Sequence, residues 1–272
     1  GCAAALYGWY QVHRRSLMSL RILITNDDGV DAPGIAIMAD IARALSDDVW
    51  IVAPDGNQSG AGHRLSFGHE LTIDRRDDRT FAVVGGSPAD CVVAGMTHLL
   101  GSRPADVVLS GVNAGQNLGD IINCSGTAAG AREGAMQGAV GIAMSQGIDY
   151  EVSRDVDWSN ARVHGLAAAR AIIDAAQGRD HYYNVNFPFC DPNATKGIAV
   201  VPMQRFSRSP FRHYASDNAG KFFVAIPETP MPLDRGSDFE SLRRDGYVTV
   251  TPLMLQQSDV ELARRLNGTL HL

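Results

Sequence analysis

The stretch Arg21 to Gly34, R-I-L-I-T-N-D-D-G-V-D-A-P-G, constrains this chain more than any other. A short apolar run, Ile22 to Ile24, stops abruptly at Asn26-Asp27-Asp28-Gly29. Such a run reads as a strand buried on both faces, as in a parallel sheet. In open α/β sheets, ligands bind just beyond the carboxyl ends of the strands. Two adjacent carboxylates at that place repel each other unless a cation sits beside them. The first strand therefore predicts a hard-metal site at its tip.

The pattern then changes period. Pro33 suits a first helical position, and Ile35, Met38, Ala42 and Leu45 recur as on one helix face. A strand over Val49 to Ala53 follows and ends in Pro54-Asp55-Gly56-Asn57-Gln58-Ser59-Gly60. A right-handed βαβ crossover places the loops around Asp27 and Ser59 on one edge of the sheet. Glu70 to Asp74 and Thr80 to Val84 read as a hairpin around Arg75-Arg76-Asp77-Asp78, and Ser87 as the N-cap of a helix with Pro88 next. Asp106 to Ser110 predicts a further strand that runs into a loop from Gly111 to Gly119. A small-residue helix over Thr127 to Gly138, a strand over Gly141 to Ser145, an alanine-rich helix over 158–177 and short strands over Asn184 to Phe187 and Gly197 to Pro202 complete this part.

From residue 203 the texture differs. Pro210, Pro227, Pro230 and Pro232 crowd among Phe206, Phe211, Tyr214, Phe222 and Phe223, as in an extended arm or hairpin. Tyr247 to Thr251 predicts a strand, and Ser258 with Glu261 a capping box before a short helix stopped by Gly268. The expected architecture is a three-layer, Rossmann-like α/β domain with a mainly parallel sheet and an extended C-terminal arm. Residues 19–202 form the catalytic domain, 203–245 an arm for oligomerisation, and 246–272 a strand and helix returning to the core. Residues 1–18 lack acids and end at Met18, which has the place of an initiator; they read as an upstream extension or a targeting peptide outside the fold.

Bulk properties exclude some functions. The chain has 272 residues, 45% of them hydrophobic and 20% charged, so a sizeable core is expected. A net charge of −6 argues against binding of nucleic-acid polymers. Cys2, Cys91, Cys124 and Cys190 are scattered without zinc spacing, as for reduced thiols in a cytoplasmic protein. No apolar run nears the about 20 residues that span a bilayer.

Three strand-end loops hold the candidate residues: Asp27 and Asp28, then Asn57 and Ser59, then Asn113 and Asn117. All are oxygen donors, which points to Mg2+, Mn2+ or Ca2+ over zinc. Flanking glycines, Gly60 among them, let backbone N–H groups approach an anion. Ser125-Gly126-Thr127 opens the small-residue helix, whose N-terminus is a ready phosphate seat. Each motif alone is more often a turn or a cap; their shared position at strand ends singles them out. Cys124 reads as a neutral packed thiol; His63 and His69 are within reach of the site from their loop, but read first as solvated loop residues. Arg205, Arg208 and Arg212 suit a solvated arm or a substrate anion equally.

Four motifs together resemble the SurE survival-protein family: I-L-I-T-N-D-D-G-V-D-A-P-G from Ile22, A-P-D-G-N-Q-S-G from Ala53, G-S-P-A-D-C from Gly86 and S-G-V-N-A-G-Q-N-L-G from Ser110. The segments Asn184 to Pro188 and Gly246 to Leu253 also fit. The resemblance implies a metal-dependent phosphatase of nucleoside 5′- and 3′-monophosphates. It matches Asp27, Asp28, Ser59 and Asn113 to the ligands of one divalent cation per subunit, Mg2+ or Mn2+, a site Ca2+ can also occupy. It puts Asn117, Ser125, Gly126 and Thr127 near the phosphate, and the glycine-flanked second loop adds Asn57 and Gly60 as candidate phosphate contacts. It further implies a dimer or tetramer exchanging C-terminal arms; the residues themselves suggest attack by a metal-activated water that a carboxylate of the Asp27–Asp28 pair, Asp28 for preference, orients or deprotonates. The chain departs from the family's usual residues at Gly56 and Gln58, where arginines are frequent, at His63-Arg64, and at Cys124, where tyrosine is usual. Rival readings are a dehydrogenase, which needs a G-x-G-x-x-G that the first loop lacks; a phosphoaspartate phosphatase, which prefers Asp-x-Asp; a phosphatase of short polyphosphates or sugar phosphates; and a nucleotide sensor without activity.

Overall fold

The computed structural model describes residues 20–153, 155–176, 180–225, 232–267 and 269. The expected N-terminal extension, Pro227, Pro230 and the helix stop at Gly268 lie outside them.

Strand β1 (Arg21–Thr25) has Ile22, Leu23 and Ile24 with no solvent exposure at all. Each such side chain contributes about 1.5–3 kcal/mol by its burial. Helix α1 (Pro33–Arg43) follows, with Pro33 in its first turn and Ile35, Ile37, Met38 and Ile41 buried. Then come β2 (Asp48–Pro54), the hairpin of β3 (Thr72–Arg75) and β4 (Thr80–Val84), and α2 (Pro88–Ala94). Ser87 caps α2 through a full capping box: its hydroxyl accepts from Asp90 N, and the Asp90 carboxylate accepts from Ser87 N.

Strand β5 (Val107–Ala114) runs four residues beyond the expected end at Ser110. Its pairing shifts register between Ser110 and Asn113, so Asn113 sits on a strand continuation and not in a free loop. A 3-10 turn (Gly119–Cys124), helix α3 (Gly126–Met136), β6 (Val140–Gln146), α4 (Ser159–Ala175), β7 (His181–Phe187) and β8 (Ile198–Val200) follow. The segment 203–245 divides. Strands β9 (Arg212–Ala215) and β10 (Phe222–Ala225) form a separate, wholly exposed two-stranded ribbon. Helix α5 (Asp238–Arg243), not foreseen from the sequence, packs Phe239 and Leu242 against Leu118. Its signal was present: Ser237 caps it, and Glu240 stands three residues on. Strand β11 (Val248–Met254) returns to the sheet, and helix α6 (Val260–Asn267) ends the described chain. The cap of α6 is Asp259, whose Oδ1 accepts from Leu262 N at 2.8 Å, in place of the expected Ser258.

The main sheet has the order β3-β4-β2-β1-β5-β6-β7-β11-β8. From β4 through β7 every neighbouring pair is parallel. β3 and β11 enter antiparallel, and β8 lies parallel to β11. Helices α1 and α4 cover one face, and α2 and α3 the other, which completes the three layers. The chain winds from β1 outward through β2 to β4, then crosses back to β5 on the other side of β1. The carboxyl ends of β1 and β5 thus flank the topological switch point, where open α/β sheets bind ligands.

Candidate active site

The site is assembled at that switch point from four segments. Asp27 and Asp28 follow β1 directly. The β2 loop is drawn in by backbone bonds: Gln58 N donates to Asp27 O at 2.7 Å, and Val30 N to Pro54 O at 2.8 Å. Gly29 has φ +110°, and a side chain there would meet the Gly56 backbone at 3.1 Å, so only glycine lets the two turns nest. Asn57 and Gly60 are exposed beside Ser59, and Asn57 Oδ1 accepts from Ser59 N at 2.8 Å. The third segment is the end of β5, where Ala114 N donates to Asp28 Oδ2 at 3.3 Å. Asn113 donates its Nδ2 to Gly115 O at 2.7 Å, which leaves its Oδ1 for another partner.

The fourth segment is the start of α3. A ridge of Gly126, Gly130 and Gly134 faces the sheet. A Cβ at Gly130 would come within 2.7 Å of Ser110 and Thr25, and one at Gly134 within 2.5 Å of Val108. The helix lies so close that its first turn touches Asp27: a Cβ on Gly126 would be 2.7 Å from Asp27 Cβ. Thr127 Oγ1 donates to Asp27 Oδ1 at 2.7 Å. Ser125 caps the helix, its hydroxyl accepting from Ala128 N at 3.0 Å. The helix N-terminus, expected as a phosphate seat, thus points its first groups at a carboxylate.

Asp27 is 4% exposed and Asp28 half-buried. Burial raises the Asp27 carboxyl above the ordinary range, against the opposing bonds from Thr127 and from nearby backbone N–H groups. Burial also raises Asp28, and the Asp27 charge adds to it. Among the described residues, neither acid forms an ion pair with a basic side chain, and no cluster of three or more His, Cys, Asp or Glu is present. One buried and one half-buried carboxylate that repel each other, with no basic partner among the described residues and with turns carrying Ser59 and Asn113 drawn in around them, fit a hard divalent cation held by oxygen alone.

Several expected residues take other places. Asn117 is buried; its Nδ2 donates to Ser145 Oγ at 2.9 Å, its N–H to Asn186 Oδ1, and its carbonyl accepts from Asn184 and Asn186. It pins the 115–119 segment to β6 and β7. His63 is no solvated loop residue: its side chain is 20% exposed, and its Nε2 lies 2.8 Å from Glu133 Oε2. His69 is exposed. Cys124 is half-buried, donates to Ile121 O at 3.0 Å, and burial raises its thiol pKa, as for an unreactive thiol. Arg205, Arg208 and Arg212 are exposed, and Arg212 bonds its own segment at Ser209 and Phe211. Sequence reasoning missed the Thr127–Asp27 bond, since nothing in a sequence tells at what a helix start is aimed.

Residues 22–209 match the family model described as Survival protein SurE. The chain belongs to the SurE family. A protein named 5'-nucleotidase SurE from Methylobacterium nodulans is 41% identical over 243 residues, 88% of this chain and 95% of its own length. One of the same name from Rhodopseudomonas palustris (strain BisB18) is 41% identical over 259 residues, 92% of this chain and 100% of its own length. The SurE protein crystal structure from Aquifex aeolicus superposes with a TM-score of 0.78 at 31% identity, covering 91% of this chain and 98% of that one. Among the described residues, no helix is long and apolar enough to cross a membrane.

Proposed function

We propose that this SurE chain is a 5′-nucleotidase, a phosphomonoesterase that hydrolyses nucleoside 5′-monophosphates, and 3′-monophosphates as well, to nucleoside and phosphate. The observation that carries this reading is the Asp27–Asp28 pair, one buried and one half-buried at the switch point with no basic partner among the described residues, in a chain whose 41%-identical relatives bear the name 5'-nucleotidase. Asp27, Asp28, Ser59 and Asn113 hold one divalent cation per subunit, Mg2+ or Mn2+. When bound, that ion neutralises the carboxylate pair and supplies Lewis acidity to the phosphoryl group.

The remaining roles belong to the protein. Thr127 fixes the Asp27 carboxylate through Oδ1, so one face of it is constant. Asp28 has its Oδ2 beside Ala114 N, and it takes the proton of the attacking water at its other oxygen. In the exposed turn, Asn57 and Gly60 offer their backbone N–H groups to the phosphoryl oxygens, those of Gln58 and Ser59 being engaged within the fold. Ser125 and Gly126 hold the start of α3 close to the reacting group, where its dipole favours negative charge. Asn117 keeps the segment after Asn113 in place.

The working molecule is a homo-oligomer, dimer or tetramer, joined through the β9–β10 ribbon, where Phe222, Phe223 and Val224 are exposed. The free thiols Cys91, Cys124 and Cys190 suit the reducing cytoplasm.

The test is a phosphate-release panel over 5′- and 3′-nucleotides, a sugar phosphate and tripolyphosphate, with Mg2+, Mn2+ and EDTA arms. Release from nucleoside monophosphates that EDTA stops supports the reading. Metal-insensitive release, or turnover confined to the non-nucleotide substrates, overturns it.

A further inference from the structure

We propose that His63 is a positioning residue for the cation site, acting by tethering the loop that presents Ser59; this rests on the reading of Ser59 as a ligand. Asp27, Asp28 and Asn113 lie on or directly after strands, where the sheet sets their places. Ser59 alone among the four is carried by an exposed loop segment. Beyond it, Gly60 and Gly62 both adopt positive φ, 78° and 55°, which glycine accommodates without strain, and Ser59 itself stands between the backbone anchors Gln58 N to Asp27 O and Gly62 N to Cys124 O.

The loop is held from outside. Gly62 N donates to Cys124 O at 3.0 Å, and the Ser66 N–H and hydroxyl both donate to Asp90 at 2.9 Å. Between these anchors, the His63 ring meets Glu133 Oε2 at 2.8 Å. Glu133 itself is fixed: its side chain is 6% exposed, and Gln137 Nε2 donates to its other oxygen at 2.8 Å. A hydrogen bond to a carboxylate so shielded from water is of the stronger kind.

The geometry matters because Glu133 stands on α3, the helix whose first turn holds Asp27 through Thr127. One helix therefore holds a buried ligand at its start and, about two turns later, the loop that carries the exposed ligand Ser59. With the tether cut, the loop populates other positions. Apparent cation affinity then falls by the fraction of molecules with Ser59 in place. Turnover once the cation is bound is unaffected, because the assembled site is the same.

Mn2+ binding to the full chain, followed by calorimetry and by the spin-resonance signal of free Mn2+, tests this. His63→Ala and Glu133→Ala are each expected to weaken Mn2+ binding about tenfold, and the double variant no further. His63→Gln, which keeps a nitrogen donor, should recover affinity to within about threefold. The Mn2+ concentration for half-maximal activity should move by the same factor, with kcat at saturating Mn2+ within about twofold of wild type. Should His63→Ala not fold, His63→Leu fills the space without donating and gives the same readout. A lower unfolding midpoint with unchanged Mn2+ affinity, or additive losses in the double variant, overturns the tether. Absence of Mn2+ binding by the wild type overturns the metal site itself, a result distinct from equal binding by wild type and variant.

Discussion

Asp27 and Asp28 are neighbours in the chain but not in environment. Asp27 is buried and receives the Thr127 hydroxyl; Asp28 is half-buried and feels the Asp27 charge. Their adjacency at a strand end was legible from the sequence, because a carboxylate pair there needs a reason. The Thr127 bond, 100 residues away in the chain, was not. Asp28→Asn is expected to lose more than about 100-fold in phosphate release while keeping its circular dichroism and unfolding midpoint. Unchanged turnover at saturating Mg2+ or Mn2+ would remove Asp28 from the mechanism. Thr127→Val keeps the shape and deletes the donor to Asp27. A fall of about 10–100-fold in kcat/KM or Mn2+ affinity is expected, typical of an outer partner to a ligand. Kinetics indistinguishable from wild type would show that Asp27 needs no such anchor.

Helix α3 is the element on which the site depends. Its glycine ridge trades helix propensity for a close approach to β1 and β5, at about 1 kcal/mol per glycine relative to alanine. Gly134→Val would drive a side chain into Val108, with an expected stability loss of about 1–3 kcal/mol or more in urea unfolding; a neutral result would mean the helix can lift without cost. Glu133, on the same helix, gives a pH signature. The His63 hydrogen bond draws its carboxyl below the ordinary range, against burial. The folded protein therefore binds that proton less tightly than the unfolded chain, so this contribution is complete above about pH 4.5 and fades as pH falls through the folded value. The stability gap between wild type and Glu133→Gln should accordingly be widest near neutrality and narrow below about pH 4. A gap that keeps its size in acid would count against a charged Glu133 in the bond. The small-residue composition of α3 was visible in the sequence; what each glycine faces was not.

At the scale of the molecule, the β9–β10 ribbon exposes Phe222, Phe223 and Val224 together. Such an apolar patch marks a contact surface. Light scattering should give the mass of a dimer or tetramer, and Phe223→Asp should shift it toward the monomer. A wild-type monomer at all concentrations would refute the proposed exchange of arms. The layers, the mainly parallel sheet and the carboxylates at the end of its first strand followed from the sequence, since apolar runs, helix periodicity and the right-handed crossover are local rules; the strand order and its switch point did not. Helix α5 was legible in Ser237 and Glu240, yet the surrounding prolines and aromatics dominated the reading. Convergence could come only from tertiary structure. The Gln58 N–Asp27 O bond, the seat of α3 on Asp27, the recruitment of Asn117 as scaffold and the His63–Glu133 tether join residues 28 to 100 positions apart. Such contacts are set by how closely packed layers bring side chains together, a quantity that no stretch of sequence carries alone.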